Sequence, residues 1–133
     1  DVIEEVANAI DFLEQGLPKK VDLLMTDIYN TDGMDRAVLQ ESFIENCAKN
    51  IKDDGWLALN CWNEQKDHDE LNNLIKKHFI DVSAVDTGTG NWVIIAGKKK
   101  CHLATKERKA IAQKIGLQLD IPLTKWLSRL TPL

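Results

Sequence analysis

The chain has 133 residues and a mass of 15.0 kDa, which suits one domain or a part of one. Its 44% hydrophobic and 29% charged residues are ordinary for a globular protein, and it contains no low-complexity segment. No apolar run approaches the roughly 18 residues that a membrane span needs, and the first residues lack a signal-peptide pattern. These features argue against a membrane protein and a disordered protein.

The charges divide the chain into two unequal parts. Residues 1–97 carry 8 basic and 19 acidic side chains, whereas residues 98–133 carry 9 basic and 2 acidic ones. We therefore predict an acidic domain over residues 1–98 and a basic helical extension over residues 99–133. Such a basic run could attract nucleic acid, but it is more often a solvated face, so nucleic acid is not the partner we expect.

The cysteines and histidines show neither the spacing of a metal site nor an even, closely spaced disulfide framework. They are Cys47, Cys61, Cys101, His68, His78 and His102. We predict three free thiols and no metal, and a reducing cytoplasm fits this pattern best.

The first elements surround a short apolar run. Residues 2–6 have the pattern of a strand and residues 9–15 that of a helix, although one helix over residues 1–15 is a serious alternative. Residues 23–26 predict a buried parallel strand. The Asn, Asp and Gly residues within 29–33 are typical of a loop.

The middle of the chain alternates between helices and strands. The pattern predicts a helix over residues 36–51, a turn at residues 53–55 and a buried strand over 56–62. A second helix begins within residues 63–69, with Asp67 or Asp69 available as a cap. It presents an apolar stripe made of Leu71, Leu74, Ile75 and Phe79.

The spacing of hydrophobic residues changes near the end of the chain. Residues 82–86 and 92–96 predict two strands of a hairpin, which would add an antiparallel edge to a sheet of otherwise parallel strands. Two amphipathic helices follow. One covers residues 105–115, is closed by Gly116 and turns Ile111 and Ile115 inward, and the other covers residues 122–130.

Polar residues follow two of the predicted parallel strands. Ligands of open α/β sheets bind outside the carboxyl ends of the strands, where Asp27 and Asn30 would stand. Asn60 ends the next strand and faces the same crevice. The alternative for each of these residues is loop geometry, because Asp and Asn also stabilise turns.

Four segments resemble a known family. They are residues 7–13 (ANAIDFL), 21–27 (VDLLMTD), 39–43 (LQESF) and 54–60 (DGWLALN), in family order and at family spacing. Together they resemble the spermidine synthase family and its relatives, over about residues 2–97. The resemblance implies a Rossmann-like three-layer α/β sandwich of the class I S-adenosylmethionine-dependent methyltransferase type, with a mostly parallel sheet and a C-terminal antiparallel hairpin.

The resemblance also assigns site residues. Asn8 and Ala9 take the place of the family's acidic and small residue beside the adenine, and Asp27, Ile28 and Tyr29 line the cofactor. Asp27 also keeps the family's first catalytic aspartate. Asn30 stands where the second aspartate would act as a base on the attacking amine, and an amide cannot accept that proton at neutral pH.

These assignments favour methyl transfer from S-adenosylmethionine, which tolerates the lost base, over aminopropyl transfer from decarboxylated S-adenosylmethionine. The first strands and the glycine-rich turn of the fold are missing from this sequence. We therefore expect the C-terminal part of a larger transferase, with weak or no catalysis on its own. A degenerate binding or dimer-forming module is the alternative. The leucine- and tryptophan-rich C-terminal helices could make a homodimer contact.

Overall fold

A computed structural model describes residues 2–31, 33–66 and 68–133; the side chain of Asn30 lies outside this description. Its helices are α1 (Ala9–Gln15), α2 (Glu41–Asn50), α3 (Asp69–His78), α4 (Thr105–Leu119) and α5 (Leu123–Arg129). Its strands are β1 (Val21–Thr26), β2 (Tyr29–Asn30), β3 (Gly33–Met34), β4 (Ile51–Trp62), β5 (Asp81–Asp86), β6 (Asn91–Gly97) and β7 (Leu130–Pro132).

Five of these strands form one sheet in the order β1-β4-β6-β5-β7, and β2 and β3 form a separate small hairpin. β4 is parallel to β1, while β6 is antiparallel to both β4 and β5. β1, β4 and β5 therefore all run in one direction. The carboxyl ends of these three strands lie at the same edge of the sheet, which is where α/β proteins bind ligands.

The core lies between the central strands and the helices α2 and α3. Alternate residues of β4 and β6 are buried, and α2 adds Phe43, Ile44 and Cys47. The predicted stripe of α3 is confirmed, because Leu71 and Ile75 are almost fully buried. The ammonium group of Lys98 donates to the carbonyl oxygens of Ala48 and Ile51 at 3.2 Å, which caps the end of α2.

The beginning of the chain differs from its prediction. Residues 2–6 form neither a strand nor a helix, whereas the predicted helix is confirmed as α1. The predicted strand at residues 23–26 is parallel as expected, but it is not buried: Leu23 is 52% and Met25 73% exposed. Among the described residues β1 is an edge strand that pairs only with β4, and the face that carries Leu23 and Met25 is open to solvent.

The predicted helix over residues 36–51 is divided at Gln40. Residues 36–39 form a turn of 3₁₀ helix, whose first turn is capped by a hydrogen bond from the Ala37 amide to Asp35 Oδ1 at 2.9 Å. Gln40 then takes an extended conformation before α2 begins. Asp69 lies in the first turn of α3 and is not its cap, and the alternative cap, Asp67, lies outside the described residues.

The predicted turn at residues 53–55 is wrong, because β4 continues through these residues. The register with β1 shifts there: Val21 pairs with Ile51, whereas Leu23 already pairs with Trp56. The extra residues form a bulge rather than a turn. Gly55 is required at this point, since a Cβ atom would lie 2.8 Å from the backbone oxygen of Asp22.

The hairpin of β5 and β6 is confirmed, but it does not form an edge. β6 lies between β4 and β5, and β7 covers the other side of β5. The last strand of the basic extension thus joins the main sheet through pairs such as Ala84 with Thr131. The domain boundary at residues 98 and 99 stays a prediction.

The first helix of the extension is longer and oriented differently than predicted. α4 runs through Gly116 to Leu119 and ends at Asp120, which adopts the left-handed conformation. Ile111 and Ile115 are not inward, as they are 44% and 37% exposed. Gly116 is the residue that faces inward, because its Cα lies against the backbone of Ile121. None of the helices in the described ranges combines the length and apolar character needed to cross a membrane.

Candidate functional site

Two polar side chains meet where β1 and β4 end. Asp27 directly follows β1, and Asn60 lies near the end of the neighbouring parallel strand β4. The side-chain amide of Asn60 donates a hydrogen bond to Asp27 Oδ1 at 2.9 Å. The structure therefore brings together the two residues that the sequence places in one crevice. The amide fixes the orientation of the Asp27 carboxylate.

A cavity of about 300 Å³ opens beside this pair, between α1 and the end of β1. Apolar side chains form most of its wall, and Asp27 is the one charged residue among the described residues that line it. The lining residues are Ala9, Phe12, Leu13, Leu17, Leu24, Met25, Thr26, Asp27 and Ile28. An apolar cavity with a few polar groups at one end is the usual form of a small-molecule site.

Two buried oxygens near Asp27, one of them in the cavity wall, have no hydrogen-bond partner among the described residues. They are the hydroxyl of Thr26 and Oδ1 of Asn60. Thr26 is 7% exposed and lines the cavity. Leaving a buried polar atom unpaired costs about 1–3 kcal/mol, so both atoms are available to a ligand with hydrogen-bonding groups.

Tyr29 and Trp62 stack above the ends of the strands. Their ring centroids are 5.3 Å apart at an interplanar angle of 19°, and the Tyr29 hydroxyl donates to the Asn60 carbonyl at 3.0 Å. Burial, as the largest cause, and the negative charges of Cys61 and Asp27 together raise the pKa of Tyr29 to about 12. The phenol is therefore neutral at physiological pH and acts as a hydrogen-bond donor.

The other predicted cofactor residues occupy different places. Ala9 and Ile28 line the cavity, as their assignment requires. The Asn8 side-chain oxygen accepts hydrogen bonds from the amides of Ile10 and Asp11, so it caps α1. Only its amide nitrogen is left for an adenine edge. Tyr29 lies against Trp62 and does not line this cavity.

Asn30 belongs to the small hairpin that follows the site. Its backbone pairs with Gly33, and the Asp35 amide donates to the Ile28 carbonyl at 3.3 Å, which ties the hairpin to the end of β1. Gly33 has a positive φ of 121°, and a Cβ there would lie 3.1 Å from the Trp62 ring. The catalytic assignment of Asn30 stays a prediction, since its side chain is outside the described structure.

The sequence did not single out Thr26 or Phe12. In the sequence Thr26 is simply the last residue of an apolar strand. Only the alternation of side chains along that strand indicates that Thr26 is buried on the side of the sheet that faces α1. Phe12 sits one turn after Asn8 on the face of α1 that meets the cavity. That face could have been found from helical spacing. Trp62 packs against Tyr29 in a stacked arrangement.

The thiols contribute no reactive group to the site. Burial raises the pKa of Cys47 and of Cys61 to about 12, so both thiols stay protonated at neutral pH. All three cysteines are free. Within the described ranges no group of three or more His, Cys, Asp or Glu side chains is arranged to hold a metal ion.

Comparisons with known proteins identify the fold. A probable spermidine synthase from Corynebacterium glutamicum ATCC 13032 matches with a TM-score of 0.68 and 16% identity, over 84% of this chain and 44% of that one. Human methyltransferase-like protein 13, solved in complex with SAH, matches with a TM-score of 0.74 and 19% identity, over 89% and 59% of the two chains. No protein-family model and no curated protein matches the sequence.

These similarities confirm the predicted class: the chain has a spermidine-synthase-like, class I methyltransferase fold. The chain spans about half the length of the solved structures that it matches. At these identities the likeness concerns the fold, and function must be argued from the site.

Proposed function

We propose that this chain contributes the Asp27 end of a binding site for S-adenosylmethionine in a methyl-transferring enzyme. The observation that carries the proposal is the Asn60–Asp27 hydrogen bond at the carboxyl ends of two parallel strands, beside an apolar cavity. One of the solved structures with the same fold contains bound SAH, which supports this ligand class.

The cavity residues fit an adenosyl group. Phe12, Leu13 and Leu24 offer an apolar surface for a planar base. The unpaired hydroxyl of Thr26 and the Asp27 carboxylate, which Asn60 orients, offer partners for the polar edge of a nucleoside. The cofactor, when bound, supplies a methyl carbon activated by a sulfonium. The task of these residues is then to orient the ligand and to exclude water.

Methyl transfer is favoured over aminopropyl transfer because of Asn30. A primary ammonium acceptor must lose a proton before it attacks, and an Asn side chain cannot act as the base. A methyl acceptor that is already neutral or anionic needs no base at this position. Aminopropyl transfer, with decarboxylated S-adenosylmethionine, remains the second candidate since one matched structure is a probable spermidine synthase.

The binding proposal is tested by nuclear magnetic resonance titration of the chain with SAH at millimolar concentrations. We expect saturable shifts of the amide signals of Ala9, Thr26, Asp27 and Asn60. Asp27→Ala should raise the dissociation constant about tenfold, because a charge-assisted hydrogen bond to the ligand is lost. Asp22→Ala is the matched control. Asp22 lies at the other end of the same strand, where it pairs with Lys52 at 2.8 Å.

The proposal is wrong if the cavity signals do not shift, or if the two variants lose affinity equally. The same titration with S-adenosylmethionine and its decarboxylated form separates the two reactions. Tighter binding of the decarboxylated form would favour aminopropyl transfer. Absence of binding by all three compounds would leave the degenerate binding or dimer-forming module as the better account.

We also propose that the protein works in the cytoplasm. The free cysteines support a reducing compartment, because Cys47 and Cys61 are buried as thiols and the half-buried Cys101 has no disulfide partner in the described structure.

A further inference from the structure

The packing face of α4 carries a positive charge. Its residues that are withdrawn from solvent are Arg108, Ala112 and Gly116, which follow one another at intervals of four. Ile111 and Ile115 lie on the exposed side. A helix normally buries its isoleucines and exposes its arginines, so the arrangement in α4 calls for a physical reason.

Arg108 lines a cavity of about 220 Å³ that forms where the C-terminal extension folds back on β5. Three of its lining residues are polar and three are apolar. The six lining residues are Ser83, Thr105, Arg108, Leu127, Leu130 and Pro132. They come from β5, α4, α5 and β7, so the cavity exists only because β7 pairs with β5.

The guanidinium group of Arg108 has no protein partner in the described parts of the chain. Its Nε atom is buried without a hydrogen bond, and no carboxylate lines the cavity. The neighbouring acidic side chain, Glu107, instead accepts a hydrogen bond from the Ala104 amide at 2.7 Å. Arginine stays charged at any physiological pH, so this site holds an uncompensated, partly desolvated cation.

An anion would complete this site. A carboxylate or phosphate group can accept hydrogen bonds from a guanidinium at two positions, and the hydroxyls of Ser83 and Thr105 could add donors. Leu127, Leu130 and Pro132 would contact the apolar part of the same molecule. We propose that this cavity, called here the Arg108 pocket, binds a small organic anion through its carboxylate or phosphate group.

The Arg108 pocket is distinct from the site at Asp27. It lies beside β5 and β7, whereas Asp27 follows β1, and β4 and β6 separate β1 from β5 in the sheet. The proposal therefore does not depend on binding of S-adenosylmethionine. A ligand in the Arg108 pocket would join the basic extension to the sheet and would stabilise the folded chain in proportion to its concentration.

The test observes the Nε–H signal of Arg108 directly by nuclear magnetic resonance in the wild-type chain. Three probes are titrated at equal ionic strength: 3-methylbutanoate, inorganic phosphate and chloride. We expect a saturable shift with 3-methylbutanoate, accompanied by shifts of the Leu127 and Leu130 methyl signals. If inorganic phosphate shifts the Nε–H signal and 3-methylbutanoate does not, the pocket recognises a phosphate group. Arg108→Gln should weaken binding by at least about tenfold.

Lys109→Gln is the control, because it removes an exposed positive charge from the next position of the same helix. Its affinity for the probe should equal that of the wild type. The proposal is overturned if neither organic anion nor phosphate shifts Nε–H saturably, if chloride acts equally, or if both variants lose affinity alike. The wild-type measurement decides the matter even if Arg108→Gln fails to fold.

Discussion

Tyr29 is the single tyrosine of the chain, so its ionisation can be observed without interference from another phenol. Burial is the main cause that raises its pKa from 10.0 to about 12, and the negative charges of Cys61 and Asp27 add to it. We predict that the phenolate absorbance of the folded chain appears near pH 12. In a urea-unfolded sample it should appear near pH 10, the ordinary value for tyrosine.

The direction of the stability change follows from the same shift. Between pH 10 and 12 the unfolded chain loses the Tyr29 proton while the folded chain keeps it, so the stability from the neutral phenol is lost as pH rises through this range. Asp27→Asn should lower the folded midpoint, since one negative charge is removed. A folded midpoint at pH 10 would show that Tyr29 is solvated and does not cover the strand ends.

Part of the site can be predicted from single residues. Asp27 and Asn60 follow from the rule that parallel strands end at one edge of a sheet, and the structure places them 2.9 Å apart. The position of the Tyr29 ring does not follow from sequence. It depends on the β2–β3 hairpin and on Gly33, whose missing side chain leaves room for Trp62. Asn8 shows the opposite case, because a residue assigned to adenine also caps a helix.

At the scale of elements, Asn50 holds α1 in place. This side chain is 6% exposed and lies at the end of α2. Its oxygen accepts from the Leu17 amide at 2.6 Å, and its amide donates to the carbonyls of Leu13 and Asn46 at 2.9 Å. α1 forms one wall of the cavity beside Asp27, so Asn50 stabilises the site from outside it.

We predict that Asn50→Ala lowers the free energy of unfolding by about 3 kcal/mol, because it leaves buried backbone groups without partners. It should also weaken SAH binding, although Asn50 does not line the cavity. Urea denaturation and the titration described above measure the two effects. Asn73→Ala removes an exposed side chain from α3 and should change stability by less than about 0.5 kcal/mol. Equal effects of the two variants would contradict this role of Asn50.

The type of most elements could be predicted from hydrophobic period, but their arrangement could not. Gly55 carries the composition of a turn, yet it lies in a strand because the bulge against β1 needs a residue without a Cβ. The hairpin of β5 and β6 was recognised, but nothing in its period shows that β6 inserts beside β4. In α4 the close approach at Gly116 decides which face is inward, overriding the isoleucine stripe.

At the scale of the molecule, the outward face of α4 leaves apolar side chains in solvent. Ile111, Ile115 and Leu119 follow one another at helical spacing, and all three are exposed. A continuous apolar stripe of this kind is typical of a surface that contacts another protein. We expect a homodimer in which this stripe of one chain meets that of a second copy.

We predict that the double variant Ile111→Glu, Ile115→Glu sediments with the 15.0 kDa mass of one chain, whereas the unchanged protein has twice that mass. The control is Ile80→Glu, since Ile80 is 74% exposed and lies outside α4.

Lys114 lies beside the stripe, so two copies bring like charges together and added salt should strengthen the dimer by screening them. A tail that binds nucleic acid would show the opposite trend, with affinity that falls steeply as salt rises. Sedimentation over a range of salt concentrations therefore separates the two uses of the basic extension, and a chain that is monomeric at all of them would contradict the dimer.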